Sequence, residues 1–217
     1  MSADVTPALR ALRVVPVVEI SDADHAVPLA RALTAGGFPA MEVTLRTPAA
    51  LDAIAAVAAE LPDFLLGAGT LLTPGDVDRA AAAGARFLVS PGRTGALETA
   101  AAATGLTFVP GAVTASEVMA AVDAGHRLVK FFPAAQSGGA AALASLAAPL
   151  RASGVGFMPT GGIRLENLPE YLGVPEVVAV GGTWIAPRAL VDAGDFTGIT
   201  ALARTARTHI DSPGAPA

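Results

Sequence analysis

The order of elements in this sequence predicts an α/β fold, a (β/α)8 TIM barrel that carries an extra N-terminal helix. The main observation is an alternation of short apolar runs with alanine-rich helical segments, repeated eight times at about 25-residue spacing. A second observation is glycine directly after several predicted helices, at Gly36, Gly84, Gly105 and Gly125, where a left-handed cap residue is favoured. An open doubly wound sheet has the same local pattern and is the alternative architecture.

Each strand is predicted from a run of apolar, often β-branched residues that ends in a turn. The predicted strands cover residues 14–20, 40–45, 64–69, 87–90, 107–111, 128–132, 156–159 and 177–181. The predicted helices cover residues 5–13, 23–35, 48–60, 74–83, 94–104, 115–124, 140–152, 166–172 and 196–210. Thr47-Pro48 and Thr73-Pro74 each place a capping residue before a proline at the first helical position, which sets two of these starts.

Composition limits the domain count and the class of partner. A chain of 217 residues fits one domain, which we expect over residues 1–211, followed by a disordered tail at 212–217. No apolar run is long enough for a membrane span and no signal-peptide pattern is present, so we expect a cytoplasmic protein. A net charge of -5 without a basic cluster argues against nucleic acid, and the expected partner is a small molecule.

The sequence offers few metal ligands. It contains no cysteine, and its three histidines, His25, His126 and His209, are far apart and form no pair with metal-binding spacing. We therefore expect no metal and no other cofactor.

Lys130 is the only lysine in the chain, and it lies on the apolar strand predicted at 128–132. A bare ammonium on such a strand must be paired or neutralised, because removing an unpaired charge from water costs on the order of several kcal/mol. Desolvation in general lowers the pKa of a lysine, and a free amine can attack a carbonyl to form a Schiff base, which arginine cannot do. The alternative is a lysine that reaches the surface or forms a buried ion pair.

The second predicted strand carries three polar residues on one face. The period of two puts Glu42, Thr44 and Arg46 together. Lys130 has the parity of Leu128 and should face the same interior, so carboxylate, guanidinium and amine converge near the C-terminal mouth of the strands. An internal ion-pair network that only fixes strand register is the alternative.

Glycine pairs follow the last two strands, as Thr160-Gly161-Gly162 and Gly181-Gly182-Thr183. Barrels commonly hold phosphate with the backbone N–H groups of these two loops, although glycine pairs also simply make turns. Small residues at Gly67-Ala68-Gly69-Thr70 and Ser90-Pro91-Gly92 leave the mouth open, and Thr70 offers a hydroxyl to a carboxylate.

Six motifs in order along the chain resemble those of the 2-keto-3-deoxy-6-phosphogluconate (KDPG) aldolases, which also act as 4-hydroxy-2-oxoglutarate aldolases. They are Glu42-Val43-Thr44-Leu45-Arg46-Thr47, Gly67-Ala68-Gly69-Thr70, Ser90-Pro91-Gly92, Lys130-Phe131-Phe132-Pro133, Pro159-Thr160-Gly161-Gly162-Ile163 and Gly181-Gly182-Thr183-Trp184. The resemblance implies a metal-free class I aldolase and a homotrimer. The implied reaction cleaves KDPG to pyruvate and glyceraldehyde 3-phosphate, with 4-hydroxy-2-oxoglutarate, which gives pyruvate and glyoxylate, as a second substrate.

The resemblance also implies a role for each site residue. Lys130 carries the Schiff base and Glu42 shuttles protons. The pyruvate carboxylate is held by Arg46 and Thr70, the pyruvyl pocket is lined by Pro91 and Phe132, and the phosphate site is formed by Thr160, Gly161, Gly162, Gly182 and Thr183. The family commonly has serine where this chain has Thr183. Glu19, at the end of the first strand, either adds negative charge to the mouth or pairs with an arginine.

Three other functions fit parts of this pattern. A phosphosugar isomerase or epimerase would use Glu42 as a base and Lys130 only as an electrostatic partner. A metal-dependent pyruvate aldolase would use acidic ligands instead of the missing histidines. A non-enzymatic trimeric barrel would only bind a phosphorylated ligand.

Overall fold

The structure is a computed structural model, and it describes residues 4–212. Its strands are β1 (Val14–Val18), β2 (Ala40–Thr44), β3 (Leu65–Gly69), β4 (Phe87–Val89), β5 (Thr107–Val109), β6 (Leu128–Phe131), β7 (Gly156–Pro159) and β8 (Val180–Gly182). Its α-helices are α1 (Thr6–Leu12), α2 (Ala26–Ala35), α3 (Ala50–Glu60), α4 (Pro74–Ala82), α5 (Gly95–Thr104), α6 (Ala115–Asp123), α7 (Gly139–Ala147), α8 (Leu168–Leu172), α9 (Arg188–Asp192) and α10 (Phe196–Asp211). Of the predicted tail at 212–217, only Ser212 lies within the described residues.

The strands form a curled parallel sheet with helices between them. Six strands pair in the order β5-β4-β3-β2-β1-β8, and β6 pairs with β7. Isolated parallel bridges join Gly111 to Lys130 and Thr160 to Gly181, so each strand of the β6-β7 pair also meets an edge of the larger sheet. This order is sequential, whereas a doubly wound sheet reverses its strand order at a switch point.

Two apolar clusters lie on opposite faces of the strands. The larger cluster lies between strands and helices and includes Val43 and Val129. The smaller cluster, which we call the inner apolar cluster, includes Ala40 and Leu128. Ala40 lies three positions before Val43 and Leu128 lies one position before Val129, so both point to the other, inner face of the strands. Leu9 of α1 belongs to the smaller cluster, so the N-terminal helix packs against the inner face.

Most predicted elements are present, and the differences have local causes. Thr47 does not cap α3, because its hydroxyl donates to the Ile20 carbonyl and the helix begins at Ala50. β8 begins at Val180 rather than at 177, since the preceding segment pairs with β7, where the Val178 N–H donates to Phe157. The short helix α9 was not predicted. No helix between residues 4 and 212 is long and apolar enough to cross a membrane.

Capping boxes begin two helices. Thr73 caps α4 as predicted, with its side chain accepting from the Asp76 N–H. At α6 the Thr114 side chain accepts from the Glu117 N–H, and the Glu117 carboxylate accepts from the Thr114 N–H at 2.9 Å. The N–H groups of Val113 and Thr114 lower the pKa of Glu117, because both donate to its charged form.

We expect Thr114→Ala to lower the free energy of unfolding by about 1 kcal/mol, because the Glu117 N–H in the first turn of α6 loses its side-chain acceptor. The pKa of Glu117 is lower in the folded than in the unfolded protein. The stability that its carboxylate contributes is therefore complete above the ordinary glutamate pKa, and it is lost as the pH falls through the pKa of the folded state. Urea unfolding near neutral pH measures the difference. Thr114→Ser is the matched control and should retain most of the stability; equal losses in both variants would contradict the capping role.

Candidate active site

A buried ion pair joins β6 to β2. Lys130 Nζ donates to Glu42 Oε1 at 3.1 Å, across 88 positions of sequence. Lys130 is 5% exposed and Glu42 is fully buried. Glu42 Oε2 has no hydrogen-bond partner among the described residues. A buried pair stabilises a fold poorly compared with apolar packing, and an unpaired carboxylate oxygen beside an amine is a proton acceptor.

Strand parity places the pair. Leu128 lies in the inner apolar cluster, and Lys130, two residues later, faces the same side one layer nearer the carboxyl end of the strand. Glu42 has the same relation to Ala40 on β2. The amine therefore lies next to an apolar layer of the inner cluster, and the centroid of the Phe132 ring lies 5.3 Å from Nζ.

The glycines of β3 leave space for this pair and for the apolar side chains next to it. A Cβ atom at Gly69 would lie 2.1 Å from Glu42 Oε1, and a Cβ atom at Gly67 would lie 2.2 Å from the Phe87 ring. Both distances are far shorter than van der Waals contact. Gly67 and Gly69 thus accommodate neighbouring side chains, in addition to the predicted role of this motif in leaving the cavity open to a ligand.

A cavity of about 140 Å³ lies above the amine at the carboxyl ends of the strands. Of the predicted site residues, it is lined by Arg46, Thr70, Lys130, Phe132, Thr160, Gly161, Gly162 and Thr183. Glu42 lies beneath it, hydrogen-bonded to Lys130. Four further residues line it, namely Val17, Thr44, Ile163 and Gly181. The sequence had placed Thr44 on the polar face of the second strand and Gly181 in the second glycine pair, whereas it did not single out Val17 and Ile163 for ligand contact. For Val17 the available signal was strand parity.

Besides Glu42, two predicted residues do not line this cavity. Gly182 lies under the Trp184 ring, where a Cβ atom would come within 1.8 Å of ring carbon. Pro91 packs with its carbonyl against Gly111, where a Cβ atom would lie 2.1 Å from the Pro91 oxygen. Both residues therefore shape the backbone around the mouth in this structure.

One side of the cavity carries a free cation and a free hydroxyl. The Arg46 side chain is exposed and has no ion-pair or hydrogen-bond partner between residues 4 and 212. Thr70 has φ 62°, a left-handed conformation that is rare for a β-branched residue and costs on the order of 1–3 kcal/mol. Its neighbours are fixed on both sides, because the Leu45 N–H donates to Gly69 and the Leu71 N–H donates to Val89. A guanidinium and a hydroxyl held in this way match a carboxylate ligand.

The opposite side of the cavity exposes backbone N–H groups. Gly161 and Gly162 have φ 101° and 71°, which glycine adopts without strain. The carbonyls of Thr160 and Gly161 accept from the N–H groups of Ala134 and Ala135 at 2.8 and 3.0 Å. The N–H groups of Gly161 and Gly162, by contrast, have no acceptor within the described part of the chain. Successive unpaired N–H groups in this conformation form an anion-binding concavity, which we call the Gly161-Gly162 cradle.

Glu19 pairs with an arginine. Its carboxylate accepts from Arg188, the first residue of α9, which also donates to the Ser21 hydroxyl at 3.2 Å and to Asp192 at 3.2 Å. The negative charge at the end of β1 is thereby balanced, and the pair links the end of β1 to the start of α9.

The other clefts and clusters are less suited to chemistry. A larger surface cleft of about 560 Å³ is lined by Arg31, Glu60 and Asp63 among other residues, but these three charged side chains are exposed, and Arg31 pairs with Glu60 at 3.0 Å. Among residues 4–212, no group of three or more His, Asp or Glu side chains is arranged to hold a metal ion.

Comparison with known proteins places the chain among aldolases. The family model described as "KDPG and KHG aldolase" matches residues 5–202. A curated relative, the 2-dehydro-3-deoxy-phosphogluconate aldolase of Treponema pallidum (strain Nichols), is 48% identical over 197 residues, which are 91% of this chain and 93% of the relative.

Two solved structures are also similar. KDPG aldolase from Legionella pneumophila, with pyruvate captured at low pH as a covalent carbinolamine intermediate, has a TM-score of 0.91 and 40% identity, and the alignment covers 95% of this chain and 99% of the other. The 2-keto-3-deoxy-6-phosphogluconate aldolase of Zymomonas mobilis ZM4 with 3-phosphoglycerate has a TM-score of 0.88 and 42% identity over 100% of both chains. This chain belongs to the KDPG and KHG aldolase family.

Proposed function

We propose that this chain is a class I aldolase that cleaves KDPG to pyruvate and glyceraldehyde 3-phosphate through a Schiff base on Lys130. The observation that carries the proposal is the buried Lys130–Glu42 pair at the base of a cavity that is cationic on one side and rich in free N–H groups on the other. Membership of the family and the carbinolamine intermediate of the Legionella relative support the same chemistry.

The reaction begins at the amine. Transfer of a proton from Lys130 to the Glu42 carboxylate, 3.1 Å away, frees the nitrogen to attack the C2 carbonyl. Glu42 returns this proton to the carbonyl oxygen, which becomes a hydroxyl. Glu42 then takes one proton from the attacking nitrogen and gives it to the hydroxyl, which leaves as water. The product is an iminium whose carbon is bonded to the lysine nitrogen.

The iminium then accepts the electrons of the breaking bond. Glu42, again a carboxylate, takes the proton of the C4 hydroxyl, the C3–C4 bond breaks, and its electron pair forms an enamine. The aldehyde product departs. Protonation of C3 and attack of water on the iminium carbon release pyruvate and restore the amine of Lys130.

The two sides of the cavity orient the substrate. Arg46 and Thr70 would hold the C1 carboxylate, and Phe132 would contact the pyruvyl carbons. The phosphate would lie in the Gly161-Gly162 cradle, with Thr160 and Thr183 adding hydroxyl groups. Gly182 acts indirectly by accommodating the Trp184 ring, and a direct role for Pro91 stays a prediction from the family resemblance.

We also propose cleavage of 4-hydroxy-2-oxoglutarate to pyruvate and glyoxylate, because the bonds broken are the same and a second carboxylate can occupy the anion-binding side. An isomerase, an epimerase or a ligand-binding barrel would need no covalent lysine adduct. Substitution of Lys130 therefore separates these functions from an aldolase.

We further propose that the two sheets close into one (β/α)8 barrel and that residues 1–211 form a single domain. The bridges from Gly111 to Lys130 and from Thr160 to Gly181 support closure, and α1 would cover the amino end of the barrel. A homotrimer, by family resemblance, and a cytoplasmic location are part of the proposal.

Lys130→Arg should retain the fold and lose aldol cleavage by at least about a thousandfold, because the charge is retained while the deprotonatable amine is lost. The measurement is the rate of pyruvate release from KDPG, with circular dichroism and thermal melting as controls for folding. Arg31→Lys, at an exposed ion pair far from the cavity, is the matched control and should leave the rate unchanged. A folded Lys130→Arg variant that retains the parent rate would refute the Schiff-base assignment.

Glu42→Gln should lower kcat by about 10²–10⁴-fold, because it removes the proton acceptor and nearly preserves the shape of the side chain. The Kd for pyruvate should change much less, since the carboxylate of pyruvate is assigned to Arg46 and Thr70. Steady-state kinetics and pyruvate titration give the two quantities. An unchanged kcat together with weakened pyruvate binding would assign Glu42 to binding instead of proton transfer.

A further inference from the structure

Gln136 lies beside the Gly161-Gly162 cradle, in the loop between β6 and α7. A Cβ atom placed at Gly162 would lie 2.5 Å from the Cβ atom of Ala135 and 3.7 Å from Gln136 Nε2. The Gln136 side chain is exposed and has no hydrogen-bond partner between residues 4 and 212. Its amide is therefore a free donor close to a row of free backbone donors.

The loop that carries Gln136 is held against the cradle. The Ala134 N–H donates to Thr160 and the Ala135 N–H donates to Gly161, so two successive backbone bonds fix the register of the two loops. Asn167 Nδ2 donates to the Gly162 carbonyl at 3.3 Å from the other side. Because these donors occupy the carbonyls of the cradle, the cradle offers an incoming anion mainly N–H groups.

The distances allow one anion to contact both donors. Gln136 Nε2 is 3.7 Å from the Cβ position of Gly162, and that position is about 2.5 Å from the nitrogen of the same residue, so the two nitrogens lie within about 6 Å. Two donors at this separation can bond different oxygens of one phosphate group when each bond is about 2.9 Å long.

We propose that Gln136 is a specificity-determining residue whose side-chain amide completes the Gly161-Gly162 cradle and selects substrates with a terminal phosphate. The inference rests on the proposed function for the identity of the substrate. The binding of an anion in the cradle does not depend on the aldol chemistry. A neutral amide suits this place because it donates to an anion without adding an ammonium next to the cavity of Lys130.

The test replaces Gln136 and measures anion binding directly. Gln136→Ala should raise the Kd for inorganic phosphate about threefold to tenfold, and Gln136→Glu should raise it more than about tenfold, because the donor is replaced by a like charge. Titration followed by ³¹P NMR reads weak binding, and pyruvate titration in the same samples should show an unchanged Kd. For aldol cleavage, kcat/KM should fall for KDPG by a similar factor and should fall less for 4-hydroxy-2-oxoglutarate, because a carboxylate brings fewer oxygens and less charge to the cradle than a phosphate does.

Ala141→Glu is the matched control. It adds the same charge at an exposed position on α7, one helical turn or more from Gln136, and it should change phosphate binding by less than about twofold. Equal effects of Ala141→Glu and Gln136→Glu would assign the change to diffuse electrostatics and overturn the proposal. An unchanged Kd in Gln136→Glu, or a parent protein that binds no phosphate, would also overturn it. Phosphate binding that depends on Gln136 in a protein without aldolase activity would instead refute the proposed reaction and leave the cradle in place.

Discussion

The burial of one amine beside one carboxylate is the constraint on which the rest of the site depends. Lys130 and Glu42 lie on separate strands, on the inner face, with an apolar layer below them. Desolvation makes such a pair costly, and each partner is tolerable only because the other is 3.1 Å away. Gly69 must lack a side chain for the carboxylate to fit, so the glycine at this position of β3 is a consequence of the pair.

The two ends of the cavity carry different groups that suit anions, and in the proposed reaction this difference orients the substrate. Arg46 offers a charged, exposed side chain for a carboxylate, whereas Gly161 and Gly162 offer uncharged backbone donors that are fixed by bonds from neighbouring loops. In the proposed reaction, the exposed Arg46 guanidinium would hold the pyruvyl part, which becomes covalently attached. The Gly161-Gly162 cradle would hold the part that leaves, with the reacting C3–C4 bond between the two anion-binding groups.

Much of the site could be predicted from sequence because strand parity is simple. The inward direction of Glu42 and Lys130 followed from the period of two, and the pairing of the strands then brought them together. What could not be predicted depends on long-range contacts. Thr47 donates to a carbonyl 27 residues away and so does not cap its helix. The reason for glycine at Gly182 is the Trp184 ring, which only three-dimensional packing reveals. The local sequence pattern also fits both a barrel and a doubly wound sheet, and only the order in which the strands pair distinguishes these two architectures.

The most direct test of the account is reduction with borohydride in the presence of pyruvate, followed by peptide mass spectrometry. Lys130 is the only lysine in the chain, so the α-amino group of the N-terminus is the only other amine that could form the adduct. The account predicts one reduced pyruvate adduct per chain, located on the peptide that contains Lys130, formed only when both reagents are present, and absent from Lys130→Arg. A chain that remains unmodified while it still cleaves KDPG would contradict the central claim, as would an adduct confined to the N-terminal amine.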